Sequence, residues 1–165
     1  GLPPVLVGLI VYLYLSRSGP FGWLGILYSP TAMIIAQVIL IAPIITALSN
    51  QIIEELHEDY RDLFLSLNAK PMQAVIAYIY DSRYSLLTVI LAGFGRAISE
   101  VGAVIIVGGN IDHLTRVMTT AIALETSKGN LTLALGLGII LLTISLCISL
   151  LAMWIKSFSK RYAHA

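Results

Sequence analysis

Charge is scarce in this sequence, and so is cysteine. Of 165 residues, 12% are charged and a single one, Cys147, is a cysteine. A lone thiol excludes a disulfide within the chain. The three histidines, His57, His113 and His164, are far apart, each in or beside a polar stretch. That spacing does not suit a metal site, and each reads as solvated or interfacial. No G-x-x-x-x-G-K-[ST] stretch occurs, so the phosphate-cradling loop of a nucleotide site is absent. A net charge of +1 provides no basic field for nucleic acid. There is no internal repeat and no low-complexity segment.

What the chain has in excess is apolar residues. They make up 58% of it, with a mean hydropathy of +0.89, where a soluble domain averages about 45–50% apolar and about 25% charged. The excess falls in four blocks, at about 2–15, 31–49, 85–108 and 131–155. This is the pattern of an integral membrane protein: an all-α, polytopic helix bundle forming one transmembrane domain over 1–165. Blocks two to four are long enough to span. The first is about 21 Å as a helix at about 1.5 Å per residue, short of the roughly 30 Å hydrocarbon core. It opens on Gly1 with no basic leader before it, so the expectation is a first helix that began further upstream. Pro3, Pro4 and Pro43 are expected to bend helices, which bundles tolerate where neighbours satisfy the freed carbonyls.

The links between blocks differ in character. Residues 16–30 are rich in Gly and Pro, with Trp23 and Tyr28 suited to a membrane interface. Residues 109–130 are mixed and partly amphipathic. Residues 50–84 are the most polar stretch, and the tail "KSFSKRYAHA" is basic. Arg61, Lys70, Arg83, Lys156, Lys160 and Arg161 lie on one side of the expected topology, against Arg17, Arg116 and Lys128 on the other. The positive-inside rule then puts the 50–84 loop and the C-terminus in the cytoplasm.

That loop is too long for a turn. Leu63, Phe64 and Leu67 share a face if Asp59–Asn68 is helical. Asn68 is suited to a left-handed end and Pro71 to a new start. The expectation is two short helices at a corner. Glu54, Glu55, Glu58, Asp59 and Asp62 stand beside a lone Arg61. Such acids repel an anionic leaflet, so a protein partner suits the corner better than a lipid surface.

These residues resemble the permease subunits of type I ABC importers for oxyanions. That class carries a cytoplasmic E-A-A, three residues, G, nine residues, I-x-L-P pattern. Here the frame puts Asp62, Leu63 and Phe64 at E-A-A, Asn68 at the Gly, and Tyr78, Ile79, Tyr80 and Asp81 at the last four positions. Only the acid and the general shape match. "LPPVLVGLIVYLYLSRSGPFG" is similar to the second helix and G-P-x-G turn of the molybdate, sulfate and tungstate permeases. "GRAISEVGAVIIVGGN" is similar to their R-A-x-x-E-x-G-A run, and "TRVMTTAIALETSKGN" and "DSRYSLL" resemble the tungstate branch.

The resemblance covers nearly the whole chain in order. It implies a non-catalytic, cofactor-free membrane subunit in a prokaryotic cell membrane. Its implied partners are a second permease copy, ABC ATPase subunits, an extracytoplasmic oxyanion-binding protein and membrane lipid, with no nucleic acid. It further implies ATPase coupling at Asp62, Leu63, Phe64, Ser66, Leu67, Asn68 and Ala69, within a 59–73 loop. The expected cargo is tungstate, with molybdate or sulfate as alternatives; an ion-coupled carrier or channel is the alternative of another class.

One stretch resists the hydropathy pattern. Arg96 and Glu100 lie inside the third block, where an ionisable residue costs about 2.5–3.5 kcal/mol on insertion scales. Four residues apart, they share a face of a continuous helix and neutralise each other. Arg before Glu is the less favourable order on such a helix, so helix stability does not explain them. Three readings stand: a buried pair that pins the helix to its neighbours, a pathway or gate at Arg96, Ser99 and Glu100 in which Arg96 faces the anion while Glu100 holds it in place, and a proton relay. The relay lacks a second intramembrane acid. Gly93, Gly95, Ser99 and Gly102 make a kink plausible here.

Overall fold

The computed structural model describes residues 2–67 and 70–163, with side chains as far as Trp154. Among these residues the fold is all helix. It comprises α1 (Pro4–Leu15), α2 (Pro30–Ser66), α3 (Pro71–Ile98), α4 (Gly102–Gly108), α5 (Met118–Ser127) and α6 (Leu131–Ala163), with a single 3-10 turn at Gly22–Leu24. Three helices are long and apolar enough to cross a membrane: α2, α3 and the Leu131–Trp154 part of α6. The all-α bundle expected from composition is the fold observed.

Local chemistry sets the helix starts. Pro4, Pro30 and Pro71 each sit at a first helical position, where the missing N–H has no intrahelical partner to lose. Ser29 caps α2 by accepting from the N–H of Ala32 at 3.4 Å. Gln73 reaches back from the third position of α3 to accept from the N–H of Lys70 at 3.0 Å, the reciprocal half of a capping box. The end of α5 is a left-handed Gly129 (φ 81°), with Gly129 N–H donating to Thr126 O and Asn130 N–H to Glu125 O. This is a Schellman closure. The Glu125 carboxylate then accepts from Lys128 at 2.8 Å and Asn130 at 3.2 Å. Lys128 above all holds its carboxyl below the usual range, so the turn loses this ionic tie only as pH falls through that lowered value.

Two expectations about helix limits change. The 50–84 stretch does not form two short helices of its own. Residues 50–66 continue α2, and 71–84 are the first half of α3. Pro43 lies inside α2, and the helix runs on through it. The third apolar block is also not one helix: α3 stops at Ile98 and α4 starts at Gly102. The residues expected to end the corner, Asn68 and Ala69, lie outside the described residues.

The core is small and central. Val7, Val11 and Leu15 from α1, Ala32, Ala36 and Leu40 from α2, and Ala103 and Val107 from α4 form one buried cluster. α3 and α4 run antiparallel to α2. Gly93 lies against Ile41 and Ile45, Ala97 opposite Gln37, and Gly108 against Met33. The seven-residue α4 is thus wedged between α1 and α2. A helix so short has no stability of its own in isolation; packing holds it. Its upper end turns at Gly109 (φ 70°), a backbone state that a side chain would strain. The hydroxyl of Thr115 donates to Gly108 O at 2.6 Å and accepts from Ile111 N–H at 2.8 Å, tying the following loop to α4. Outside this core, large apolar side chains face outward along α2, α3 and α6, the reverse of a soluble domain and the expected face toward lipid or partners.

The approach of α1 to α4 is the tightest in the core. A Cβ at Gly8 would stand 2.8 Å from the Cα of Ala103, backbone that cannot step aside. Gly8→Val is expected to lower unfolding stability in detergent by at least about 2 kcal/mol through overpacking. Gly136→Ala, where nothing lies within 4 Å, should be neutral or stabilising by up to about 1 kcal/mol. Equal melting temperatures for the two variants would show that this contact does not matter.

Candidate functional site

The break between α3 and α4 changes the meaning of the charged pair. On one continuous helix Arg96 would precede Glu100 in the wrong order. Here Arg96 occupies the last turn of α3, where exposed carbonyls favour a cation. Glu100 stands just before α4, where free N–H groups favour an anion. Each charge complements its own helix end. The expectation that helix stability plays no part in the pair is therefore corrected: it assumed one helix, and there are two.

The geometry is close. Arg96 Nη1 donates to Glu100 Oε2 at 2.9 Å, and the other oxygen, Oε1, accepts from the N–H of Ala103 at 3.1 Å. Glu100 is 4% exposed and the Arg96 side chain 33%. The carboxylate is buried with both oxygens bonded, and the guanidinium reaches the edge of the protein. The α3 carbonyls freed by the break also find donors. Ser99 N–H bonds Gly95 O, Glu100 N–H bonds Ala97 O, and the Ser99 hydroxyl donates to Arg96 O at 3.0 Å. Two more ties come from other helices. Gln37 of α2 donates to Ala97 O at 3.4 Å, and Thr119 of α5 donates to Glu100 O at 3.3 Å. Satisfying these groups matters because the hydrocarbon core has no water to do so.

Gln37 and Thr119 escaped the sequence reading. A single amide in α2 and one of several threonines near α5 show no pattern until the break brings their acceptors to them. Both line a cavity of about 410 Å³ with Met33, Ala97, Ile98 and Met118. Ser99 is not beside the ion pair's bonding atoms. It is exposed and lines a separate groove of about 380 Å³ between α3 and α6, with Gly95, Gly138, Ser145 and Ser149. The structure thus joins Arg96 to Glu100 and turns Ser99 toward α6.

The corner residues sit at the far end of α2. Asp62, Leu63, Ser66 and Leu67 are exposed, and Ser66 donates to Leu63 O at 2.8 Å. Phe64 turns inward, its ring 5.5 Å from Tyr78 and 5.8 Å from Tyr60. Tyr78, buried on α3, also stacks on Tyr60 at 6.4 Å and meets the His57 ring edge-on at 5.9 Å. Its hydroxyl lies 3.0 Å from His57 Nδ1. Aromatic pairs of this kind are worth about 0.5–1.5 kcal/mol each, so this cluster clamps α2 to α3 next to the corner. Of the three residues expected to share a face there, Leu63 and Leu67 remain exposed, as do Val75 and Ile79 on α3.

Three helices of spanning length, an ion pair at the break between α3 and α4 and an exposed acidic helical corner define a multi-helix membrane protein. Comparison with known proteins agrees. Residues 1–161 match the family described as binding-protein-dependent transport system inner membrane component, and the chain belongs to that family. It is 42% identical over 156 residues to a probable anion ABC transporter permease protein of Haloferax volcanii, covering 92% of this chain and 67% of the relative. It is 39% identical over 154 residues to the tungstate uptake system permease protein TupB of Campylobacter jejuni (93% of this chain, 64% of the relative). Against the protein of the same name in Peptoclostridium acidaminophilum the identity is 43% over 148 residues (90% and 65%). The chain spans about two thirds of the length of these relatives. No solved structure gives a significant match.

The pair's energetic role is open to a double-mutant cycle. Glu100→Met leaves Arg96 and the Ala103 N–H without their acceptor and should cost about 3 kcal/mol. Arg96→Met should cost less, because Arg96 is a third exposed. The double variant should be more stable than the sum of the two by at least about 1 kcal/mol, the sign of direct coupling. Additive losses would mean the two charges act independently.

Proposed function

We propose that this chain is the membrane-spanning permease part of an ATP-driven importer that carries a tetrahedral oxyanion, tungstate, into a prokaryotic cell. The observation that carries the reading is similarity over nine tenths of the chain to two tungstate uptake permeases. In this reading two copies enclose the path, ATPase subunits supply the hydrolysis, an outer binding protein delivers the anion, and the corner and C-terminus face the cytoplasm. The chain itself catalyses nothing.

The fold supports a way for the parts to work together. α2 is one continuous helix from the corner to Gln37, and α3 is one from the corner to Ala97. The ring cluster around Tyr78 joins them at the corner, and the Gln37–Ala97 bond joins them at the break. An ATPase that grips Asp62, Leu63, Ser66 and Leu67, with the adjoining Asn68 and Ala69, therefore moves a stiff lever whose other end is the break. Phe64, packed inward, serves the lever rather than the ATPase surface. At the break, Arg96 has guanidinium N–H groups beyond the one given to Glu100, and it is the part-exposed member of the pair. A passing dianion takes those donors while Glu100 keeps the arginine in place and α4 attached. Ser99, whose hydroxyl donates to Arg96 O, lines the separate groove toward α6 and supports the end of α3 beside the path.

The test is uptake by the assembled complex. Arg96→Ala should lower tungstate uptake at least about tenfold, on the scale of a lost charged hydrogen bond, with ATPase subunits still co-purifying. Replacing 62–69 by a Gly/Ser linker should abolish that co-purification. Assembly lost in Arg96→Ala would leave the pair a purely structural one, and co-purification unchanged by the linker would remove the docking assignment. Competition by molybdate and sulfate against tungstate fixes the cargo.

A further inference from the structure

Among the described residues, Arg83 has no ion-pair partner of opposite sign. The acid–base pairs among them are Arg96–Glu100, Arg116–Asp112, His113–Asp112 and Lys128–Glu125. None involves Arg83. Its guanidinium is held instead by neutral groups. It lies 4.0 Å from the centre of the Tyr80 ring and 4.5 Å from that of Tyr84. Nη1 donates to Tyr80 O, and Nη2 lies 3.5 Å from the Tyr84 hydroxyl. Two rings, a carbonyl and a phenol fix the fork in place and leave its positive charge uncompensated. A fixed, planar fork with free N–H groups suits the oxygens of a phosphate.

The position says where such a phosphate comes from. The apolar run of α3 begins at Leu86, and that of α2 ends at Ser49. Leu48 and Gln51 of α2 face Ser85 and Thr88 of α3 across a shared cavity, so both helices leave the apolar zone at the same height. Arg83 is three residues before that edge, about 5 Å along the axis. It shares a face of α3 with Leu87 and Ile90 on one side and Ile76 and Ile79 on the other. Ile76, Ile79 and Ile90 are each more than half exposed. Tyrosine rings and a snorkelling arginine at this depth are the usual furniture of a headgroup layer.

We propose that Arg83, clasped between Tyr80 and Tyr84, binds the phosphate of an anionic phospholipid at the membrane boundary. The lipid phosphate supplies the missing negative charge, its chains lie along Leu87 and Ile90, and the two rings shield the contact from water. This anchors the lower half of α3 in the headgroup layer, next to the clamp at Tyr78. The proposal stands apart from the import reading and holds for either leaflet.

The test is native mass spectrometry of the full chain released from detergent micelles containing phosphatidylglycerol or phosphatidylcholine. The wild-type protein should retain phosphatidylglycerol in preference. Arg83→Gln should weaken that retention roughly fivefold, the scale of one basic residue at an anionic surface, with phosphatidylcholine retention unchanged. Arg83→Lys should fall between, because it keeps the charge and loses the fork. Tyr80→Leu, which alters an exposed ring alone, should weaken retention in the same sense and serves if Arg83→Gln does not fold. Retention of phosphatidylglycerol that is equal in wild type, Arg83→Gln and Tyr80→Leu overturns the proposal. So does displacement of the lipid by millimolar inorganic phosphate, which would make the ligand a soluble anion.

Discussion

A carboxylate that is 4% exposed holds two helix ends together at the centre of this chain. Glu100 binds Arg96 with one oxygen and the backbone of Ala103 with the other. The first contact closes the end of α3 and the second opens α4. Breaking a helix inside a membrane exposes carbonyls on one side and N–H groups on the other, and lipid satisfies neither. The ion pair supplies charge to both ends at once, each in the sense that the helix dipole favours. Two charges that look costly on a hydropathy plot are what make the discontinuity affordable.

The rest of the bundle is arranged around that discontinuity. α4 is too short to persist alone, and it carries Ala103, Val104 and Val107, all at most 1% exposed. It therefore anchors the core that α1 and α2 build. Gly8 lets α1 approach it to backbone contact, and the loop beyond it is pinned by Thr115. On the other side α3 runs unbroken to the exposed corner, paired with α2 through four aromatic rings. The molecule thus has a packed centre and a long paired arm, with the charged break where they meet.

Much of this could be read in the sequence, and the misses have physical causes. Apolar blocks of spanning length identified the membrane class and the all-α fold, because length and hydropathy alone decide which helices suit lipid. The break at 99–101 was visible only as a softened stretch of Gly and Ser. Hydropathy does not distinguish one helix from two laid end to end, so the order of Arg96 and Glu100 was judged against the wrong frame. The corner was misjudged for a related reason. The acids of 54–62 resemble a loop by composition, yet they lie on the exposed face of α2, whose inner face is completed by Tyr60 and Phe64. Gln37, Thr119 and Tyr78 had no local signature, since each acts across helices far apart in sequence.

Amide hydrogen exchange tests the joint most directly. If Glu100 holds α4 onto the end of α3, then in Glu100→Ala the amides of 103–108 lose protection together, while those of 86–95 within α3 keep theirs. Loss spread equally over both segments, or unchanged protection of 103–108, would contradict a two-helix crossing fastened by this carboxylate.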